Sequence, residues 1–226
     1  MARLRFSVVG HSHVKRINFL RTSNRAVNEE LLNTIAEDSL QLSFLGASGL
    51  KFKHIFSRSQ NISREKQLFS IHFREILRFR PHAILLMLGD NDVMSHSPEE
   101  LAMRMCAFAT HIQKKYGVKN IILGQILPRF SLTLDKPDPK VVIYNKKALE
   151  INSLLKNEVK NLENIFFQYH GFGFPGEKKK GKSTFSYDAS RKFFRKDGVH
   201  LTCKGYMKII KRIKNSIVQE ATHFNL

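Results

Sequence analysis

Five short apolar segments, separated by longer stretches of helical pattern, constrain the fold more than any other feature of this 226-residue chain. The segments cover residues 4–9, 40–45, 83–88, 120–127 and 164–168. Residues 84–88 and 121–123 are apolar at every position, as is typical of strands buried on both faces of a parallel sheet. Strands that alternate with helices predict an α/β fold, namely a three-layer sandwich with a parallel, doubly wound sheet of about five strands.

The helical pattern is clearest at residues 98–116 and 143–160, and again from about Thr202 to about Ala221. Ser97 is a candidate N-cap, Pro98 fits the first helical position, and Glu100 follows three residues after the serine. This spacing predicts a capping box at the start of the first of these helices.

Three short polar blocks stand where strands end or helices begin. They read Gly-His-Ser-His at residues 10–13, Gly-Asp-Asn-Asp at residues 89–92, and Asp-Gly-Val-His at residues 197–200. In open α/β sheets, sites gather beyond the carboxyl ends of the strands, so we expect these blocks to lie close together. They supply a nucleophile, an amide donor and an acid–base pair, which are the parts that an acyl-transfer site needs.

In this order the blocks resemble those of the SGNH (GDSL-type) esterase and acylhydrolase superfamily, over about residues 4–215. The resemblance implies a serine esterase that cleaves carboxylic esters, with short acyl groups favoured. It implies Ser12 as the nucleophile and Asp197 with His200 as the other triad members. It also implies an oxyanion hole formed by the N–H groups of Ser12 and Gly49 and by the amide of Asn91.

His11 is a departure, because the family usually has Asp at this position. An aspartate there accepts backbone N–H bonds and carries a permanent negative charge, whereas an imidazole does only part of this. We therefore expect a low turnover, and we expect His11→Asp to raise activity or to stabilise the loop.

Two histidines two residues apart, such as His11 and His13, can also ligate a metal, and His200 would be a third ligand. Metallophosphoesterases place such a pair near the C-terminus, after an Asp-x-His block that this sequence lacks. We therefore expect neither a metal nor another cofactor. Arg129, which follows the fourth apolar run, is a candidate for lining the pocket.

The charge balance points to a different class of function. The sequence has 38 Lys and Arg against 19 Asp and Glu, a net charge of +19, which favours polyanionic partners. The alternative hypothesis is an SGNH-fold module with weak catalysis that binds nucleic acid, RNA-binding or retroelement-associated, and both activities can also coexist. Phe193 and Phe194 would stack on bases. The candidate phosphate contacts are Lys178, Lys179, Lys180, Arg191, Lys192, Arg195 and Lys196.

Length and composition favour a single domain at residues 1–226, with a mobile basic loop at about 171–196. Cys106 and Cys203 have no paired spacing, which indicates reduced thiols in an intracellular compartment, cytoplasmic or nuclear. No apolar run approaches the roughly 20 residues that a membrane-spanning helix needs. The expected partners are a small-molecule or polymer-borne ester and, in the alternative, nucleic acid or another polyanion.

Overall fold

The computed structural model describes residues 3–32, 39–55, 63–131, 138–175 and 190–223. Within these ranges the strands pair in parallel in the order β2-β1-β3-β4-β5, which confirms the predicted sheet. The strands are β1 (Leu4–Gly10), β2 (Leu40–Gly46), β3 (Ala83–Met87), β4 (Asn120–Gly124) and β5 (Ile165–Gln168).

Helices cover both faces of the sheet, which makes the fold doubly wound. The helices are α1 (Ser12–Ser23), α2 (Arg25–Leu32), α3 (Phe52–Ile55), α4 (Arg64–Arg78), α5 (Pro98–Tyr116), α6 (Pro139–Glu158) and α7 (Cys203–His223). Helices α3 to α6 pack on one face, and α1, α2 and α7 pack on the other. In β3, Ile84 and Leu86 belong to the first core while Leu85 and Met87 belong to the second, so every position of this strand is apolar.

The fourth apolar run extends further than its strand. Strand β4 ends at Gly124, and one further backbone hydrogen bond to β5 follows, from the N–H of Gln125 to the carbonyl of Gln168 at 2.9 Å. The next residue pairs with a side chain of α6: Asn152 accepts a hydrogen bond from the N–H of Ile126 at 2.9 Å and donates one to the carbonyl of the same residue at 2.9 Å. Residues 126 and 127 are therefore buried without being part of the sheet.

The starts of α5 and α6 each differ in one detail from the sequence prediction. Ser97 Oγ accepts a hydrogen bond from the N–H of Glu100 at 3.2 Å, as predicted. The Glu100 carboxylate instead pairs with His96 at 3.1 Å and with Arg104 at 2.8 Å, so only half of the capping box forms. Helix α6 begins four residues earlier than predicted, because Asp138 accepts a hydrogen bond from the N–H of Lys140 at 2.8 Å.

Helix α1 starts directly after β1 and passes very close to the end of β2. A Cβ atom added to Gly46 would lie 2.2 Å from the backbone nitrogen of Lys15, so this position accommodates only glycine. The close approach fixes the start of α1 beside the loop that follows β2.

Residues 176–189 of the expected basic loop lie outside the described residues. The two ends of that loop pack into the protein: Phe172 and Phe174 are buried on one side, and Phe194 is buried on the other. No helix among the described residues is both long and apolar enough to cross a membrane.

Candidate active site

The three polar blocks come together at the carboxyl edge of the sheet. The first two follow β1 and β3, which are neighbours, and Gly49 lies in the loop after β2 on the other side of β1. Ser12 and Asn91 line one crevice with a volume of about 20 Å³. The third block reaches the same crevice through Val199. The other lining residues are His11, His13, Asp90, Leu127, Pro128, Arg129 and Tyr144.

Asp197 and His200 form a hydrogen-bonded pair. His200 Nδ1 lies 2.7 Å from Asp197 Oδ2, while Asp197 Oδ1 accepts the N–H groups of Val199 at 2.9 Å and His200 at 2.8 Å. Burial raises the pKa of Asp197, but the hydrogen bonds from His200 and Val199 outweigh it and lower that pKa to about 2. Because the carboxylate is ionised, Nδ1 is the protonated nitrogen of the neutral imidazole, and Nε2 is left as an acceptor.

Gly198 attaches this pair to the segment that follows β4. Its carbonyl accepts a hydrogen bond from the N–H of Phe130 at 2.9 Å, and its φ is +68°. A Cβ atom at Gly198 would lie 1.8 Å from the carbonyl oxygen of Phe130, so a larger residue would push the turn away. The 197–200 turn is therefore held by residues that the sequence motif does not include.

Ser12 Oγ and His200 do not share a hydrogen bond in the part of the chain that the structure describes. The ring of His13 lies between two other imidazoles, with its centroid 5.0 Å from the ring of His11 and 6.0 Å from the ring of His200. His13 Nδ1 is 3.1 Å from the hydroxyl of Tyr206. Burial, followed by the charge of His11, lowers the pKa of His13 well below its ordinary value, so the ring is neutral at neutral pH.

Asn91 connects the loop that follows β3 to the loop that follows β2. Its Nδ2 donates a hydrogen bond to the carbonyl of Leu50 at 3.1 Å, and the same amide has a second N–H. Gly49 precedes Leu50 with a φ of +60°. The side where its side chain would stand is open, since the nearest atom there is Lys66 Nζ at 4.0 Å. Asp92 braces the same loop by accepting the N–H of Phe52 at 3.3 Å.

His11 has a carboxylate partner that the sequence did not reveal. His11 Nε2 lies 2.7 Å from Asp90 Oδ2, and both side chains are largely buried. Burial raises the pKa of Asp90, but the charge and hydrogen bond of His11 lower it below its ordinary value. Asp90 Oδ1 also accepts the N–H of Leu127 at 3.3 Å. The negative charge expected at position 11 is therefore present at Asp90, in the loop that follows β3.

Arg129 does line the crevice. Its guanidinium lies 3.9 Å from the ring centroid of Tyr144, and it donates a hydrogen bond to the carbonyl of Asp90 at 3.3 Å. The side-chain amide of Asn145 accepts a hydrogen bond from the N–H of Arg129 at 2.8 Å and donates one to the Arg129 carbonyl at 2.7 Å. The arginine is thus a fixed cation at one wall of the crevice.

Two of the expected nucleic-acid contacts bind the protein's own backbone instead. Arg191 donates hydrogen bonds to the carbonyls of Phe194 at 3.1 Å, Arg195 at 2.7 Å and Lys196 at 3.2 Å. Arg195 donates from Nε to the carbonyl of Leu201 at 3.2 Å. Lys178, Lys179 and Lys180 lie outside the described residues.

The two expected stacking rings differ in their burial. Phe194 is only 4% exposed, and its ring packs against those of Phe130 at 4.7 Å and Phe172 at 5.6 Å, so it offers no free face to a base. Phe193 is half-buried against Phe172 at 5.9 Å, and Lys192 lies over its ring at 5.5 Å. Base stacking on Phe193 stays a prediction.

The three histidines near Ser12 do not form a metal centre: among the described residues, no group of three His, Cys, Asp or Glu side chains is placed to hold a metal ion. Sequence reasoning missed Asp90 and Tyr144, which line the crevice with Ser12, and Tyr206, which contacts His13. The Gly-Asp-Asn-Asp block offered a signal for Asp90, because a carboxylate directly before Asn91 had no assigned partner.

No family model and no curated protein matches the sequence. Solved structures do match. A GDSL-like lipase from Bacteroides thetaiotaomicron has a TM-score of 0.57 and 18% identity, over 96% of this chain and 88% of its own. A carbohydrate acetylesterase from Sinorhizobium meliloti has a TM-score of 0.60 and 15% identity, over 95% and 99%. An aryl esterase from M. smegmatis has a TM-score of 0.60 and 14% identity, over 96% and 99%. The protein therefore has the fold of the SGNH hydrolases.

Proposed function

We propose that the protein is a serine esterase that hydrolyses carboxylic esters of short acyl groups. The observation that carries the proposal is the Asp197–His200 pair, with an ionised carboxylate on Nδ1, next to a crevice that contains Ser12 and Asn91. A serine hydroxyl becomes an effective nucleophile only when such an oriented base takes its proton. The shared fold with esterases supports the same reaction class.

The chemistry follows from these roles. His200 Nε2 takes the proton of Ser12 Oγ as this oxygen attacks the ester carbonyl, and Asp197 stabilises the imidazolium. The imidazolium then gives the proton to the leaving alcohol. Water, deprotonated by the same ring, hydrolyses the acyl-serine and regenerates the hydroxyl. The hydrogen bond between Ser12 and His200 forms when substrate binds, since such bonds are often long before that.

In this proposal, three donors stabilise the negative charge that develops on the carbonyl oxygen. They are the backbone N–H groups of Ser12 and Gly49 and the second side-chain N–H of Asn91. The Asn91–Leu50 hydrogen bond keeps two of the three segments at a fixed spacing. The crevice limits the acyl group, because about 20 Å³ is close to the space that one water molecule occupies. An acetyl methyl group matches this space better than a longer chain does.

The test is a panel of 4-nitrophenyl esters with acyl chains of two to eight carbons. We expect kcat/KM to be highest for acetate and to fall with chain length, and a fluorophosphonate to label wild-type protein once, at Ser12. Ser12→Ala should abolish both labelling and hydrolysis, whereas Ser153→Ala, at an exposed serine of α6, should keep both. Hydrolysis that persists in Ser12→Ala contradicts the proposal.

Asn91→Ala is expected to lower kcat by about a hundredfold or more while KM changes little, because an oxyanion donor acts mainly in the transition state. The measurement is steady-state kinetics and thermal unfolding on the same preparation. A role limited to bracing Leu50 would instead lower the melting temperature and leave the kcat of the folded fraction unchanged. Asp92→Asn, which alters the neighbouring brace on Phe52, is the matched control for such a structural effect.

A further inference from the structure

A second cavity lies between α3 and α5, beside the loop that carries Gly49. Its volume is about 540 Å³, within the range typical of small-molecule sites and far larger than the crevice at Ser12. The two cavities have no lining residue in common. The proposed esterase chemistry does not use this cavity.

Most of the charged side chains that line this cavity are cations. Lys51, Lys53 and Arg104 line it, and the only carboxylate in its lining is that of Asp92. Asp92 is buried and accepts the N–H of Phe52 at 3.3 Å, whereas Lys51 Nζ donates to the neutral hydroxyl of Ser95 at 3.2 Å. Just outside, Glu100 pairs with Arg104 at 2.8 Å and so neutralises one of the cations. A positive charge remains at the two lysines.

The pKa of His54 is lowered in part by the same lysine charges. Burial lowers the pKa of this histidine first, and the charges of Lys66, Lys53 and Lys51 lower it further. Lys66 comes from α4 and is the residue whose Nζ lies closest to the open side of Gly49. Cations from two elements therefore surround the loop after β2.

An aromatic pair completes the cavity. The rings of Phe52 and Phe108 both line it and meet edge to face, with centroids 5.5 Å apart and an interplanar angle of 83°. A ring-sized apolar body can pack on this pair while an anionic group reaches the lysines. Apolar walls combined with a few placed charges are the usual composition of a small-molecule site.

We propose that this cavity binds a small organic anion, a phosphate or carboxylate group attached to a ring-sized apolar body. An anion bound there should change the catalytic rate at the crevice, because two residues of the cavity lining are next in sequence to residues of the crevice loop. Lys51 follows Leu50, whose carbonyl accepts the Asn91 hydrogen bond, and Asp92 follows Asn91 itself. The anion is either a part of the ester substrate or a separate effector.

The binding test uses phenyl phosphate and isothermal titration at low salt. We expect saturable binding, and we expect Lys51→Gln/Lys53→Gln to weaken it at least tenfold. The control Lys114→Gln/Lys156→Gln removes two exposed cations from the distal ends of α5 and α6 and should bind like wild type. Equal binding by both double variants, or no saturation at millimolar phenyl phosphate, overturns the proposal. This measurement needs no ester hydrolysis, so it stands or fails separately from the proposed function.

A kinetic test, which does rest on the proposed function, distinguishes the two sources of the anion. If the anion is part of the substrate, 4-acetoxybenzoate should have a higher kcat/KM than phenyl acetate, and phenyl phosphate should compete with it. If the anion is a separate effector, phenyl phosphate should change the kcat for phenyl acetate, with no preference for the charged ester. Each effect should disappear in Lys51→Gln/Lys53→Gln, and an effect that survives there contradicts the site.

Discussion

His200→Ala is expected to lower kcat/KM for acetate esters by about a thousandfold or more, because the members of a triad act as one unit. The serine would lose the imidazole that the ionised carboxylate of Asp197 orients through Nδ1. The measurement is hydrolysis of 4-nitrophenyl acetate, corrected for the uncatalysed rate. Circular dichroism on the same sample checks that the variant is folded.

The chain offers a matched control for this variant. His72 pairs with Glu75 at 2.9 Å with the same three-residue spacing, on the exposed side of α4. His72→Ala should therefore leave the rate unchanged. If His200→Ala keeps most of the activity, the base is another group, and His13 is the first candidate because its ring lines the crevice.

His11→Asp is expected to destabilise the protein by about 3–5 kcal/mol, the usual cost of leaving a buried charge without its partner. This reverses the expectation from sequence, since the imidazole that now lies 2.7 Å from Asp90 would be replaced by a shorter acid that faces the same buried carboxylate. Two buried carboxylates that face each other repel, and one must be protonated. Urea unfolding measures the loss, and activity should fall with it.

His11→Asp/Asp90→Asn should recover most of that stability, because an amide at position 90 can donate to the new carboxylate. A double-mutant cycle over the two positions gives the interaction energy directly. Strictly additive effects would mean that the two side chains do not depend on each other. The original expectation for His11→Asp would then stand.

The same pair predicts a dependence on pH. The pKa of Asp90 is lower in the folded protein than its ordinary value, so its contribution to stability is present above about pH 4 and is lost as the pH falls through the folded-state pKa. The stability difference between wild type and Asp90→Asn should therefore shrink between pH 6 and pH 3. A difference that is constant over this range would show that Asp90 does not titrate with folding.

The sheet and the location of the site could be predicted from sequence, because both depend on local pattern. Continuous apolar runs mark β3 and β4, and the polar blocks that follow β1 and β3 must lie at the carboxyl edge. The exact end of β4 could not be predicted, since Asn152 stops it from a helix 26 residues away. The N-cap of α6 was readable in the Asp138–Pro139 pair but was not used.

Pairings between distant positions could not be predicted. His11 and Asp90 are 79 residues apart, and His13 and Tyr206 are 193 residues apart. Tyr206 is buried in the second core, and a buried hydroxyl needs a hydrogen-bond partner, but only the fold determines which one it finds. For the same reason, Phe194 could be interpreted as part of a binding surface until its packing was known.

The contact between His11 and Asp90 also limits how this chain can evolve. Any path from this pair to an aspartate at position 11 passes through an intermediate that holds two buried acids or a buried imidazole without its acid. Such intermediates are less stable, so the two codons are expected to change together or not at all. In a collection of related chains, an acid at one of these positions should accompany a base or a neutral residue at the other, and this covariation would mark the pair without any structure.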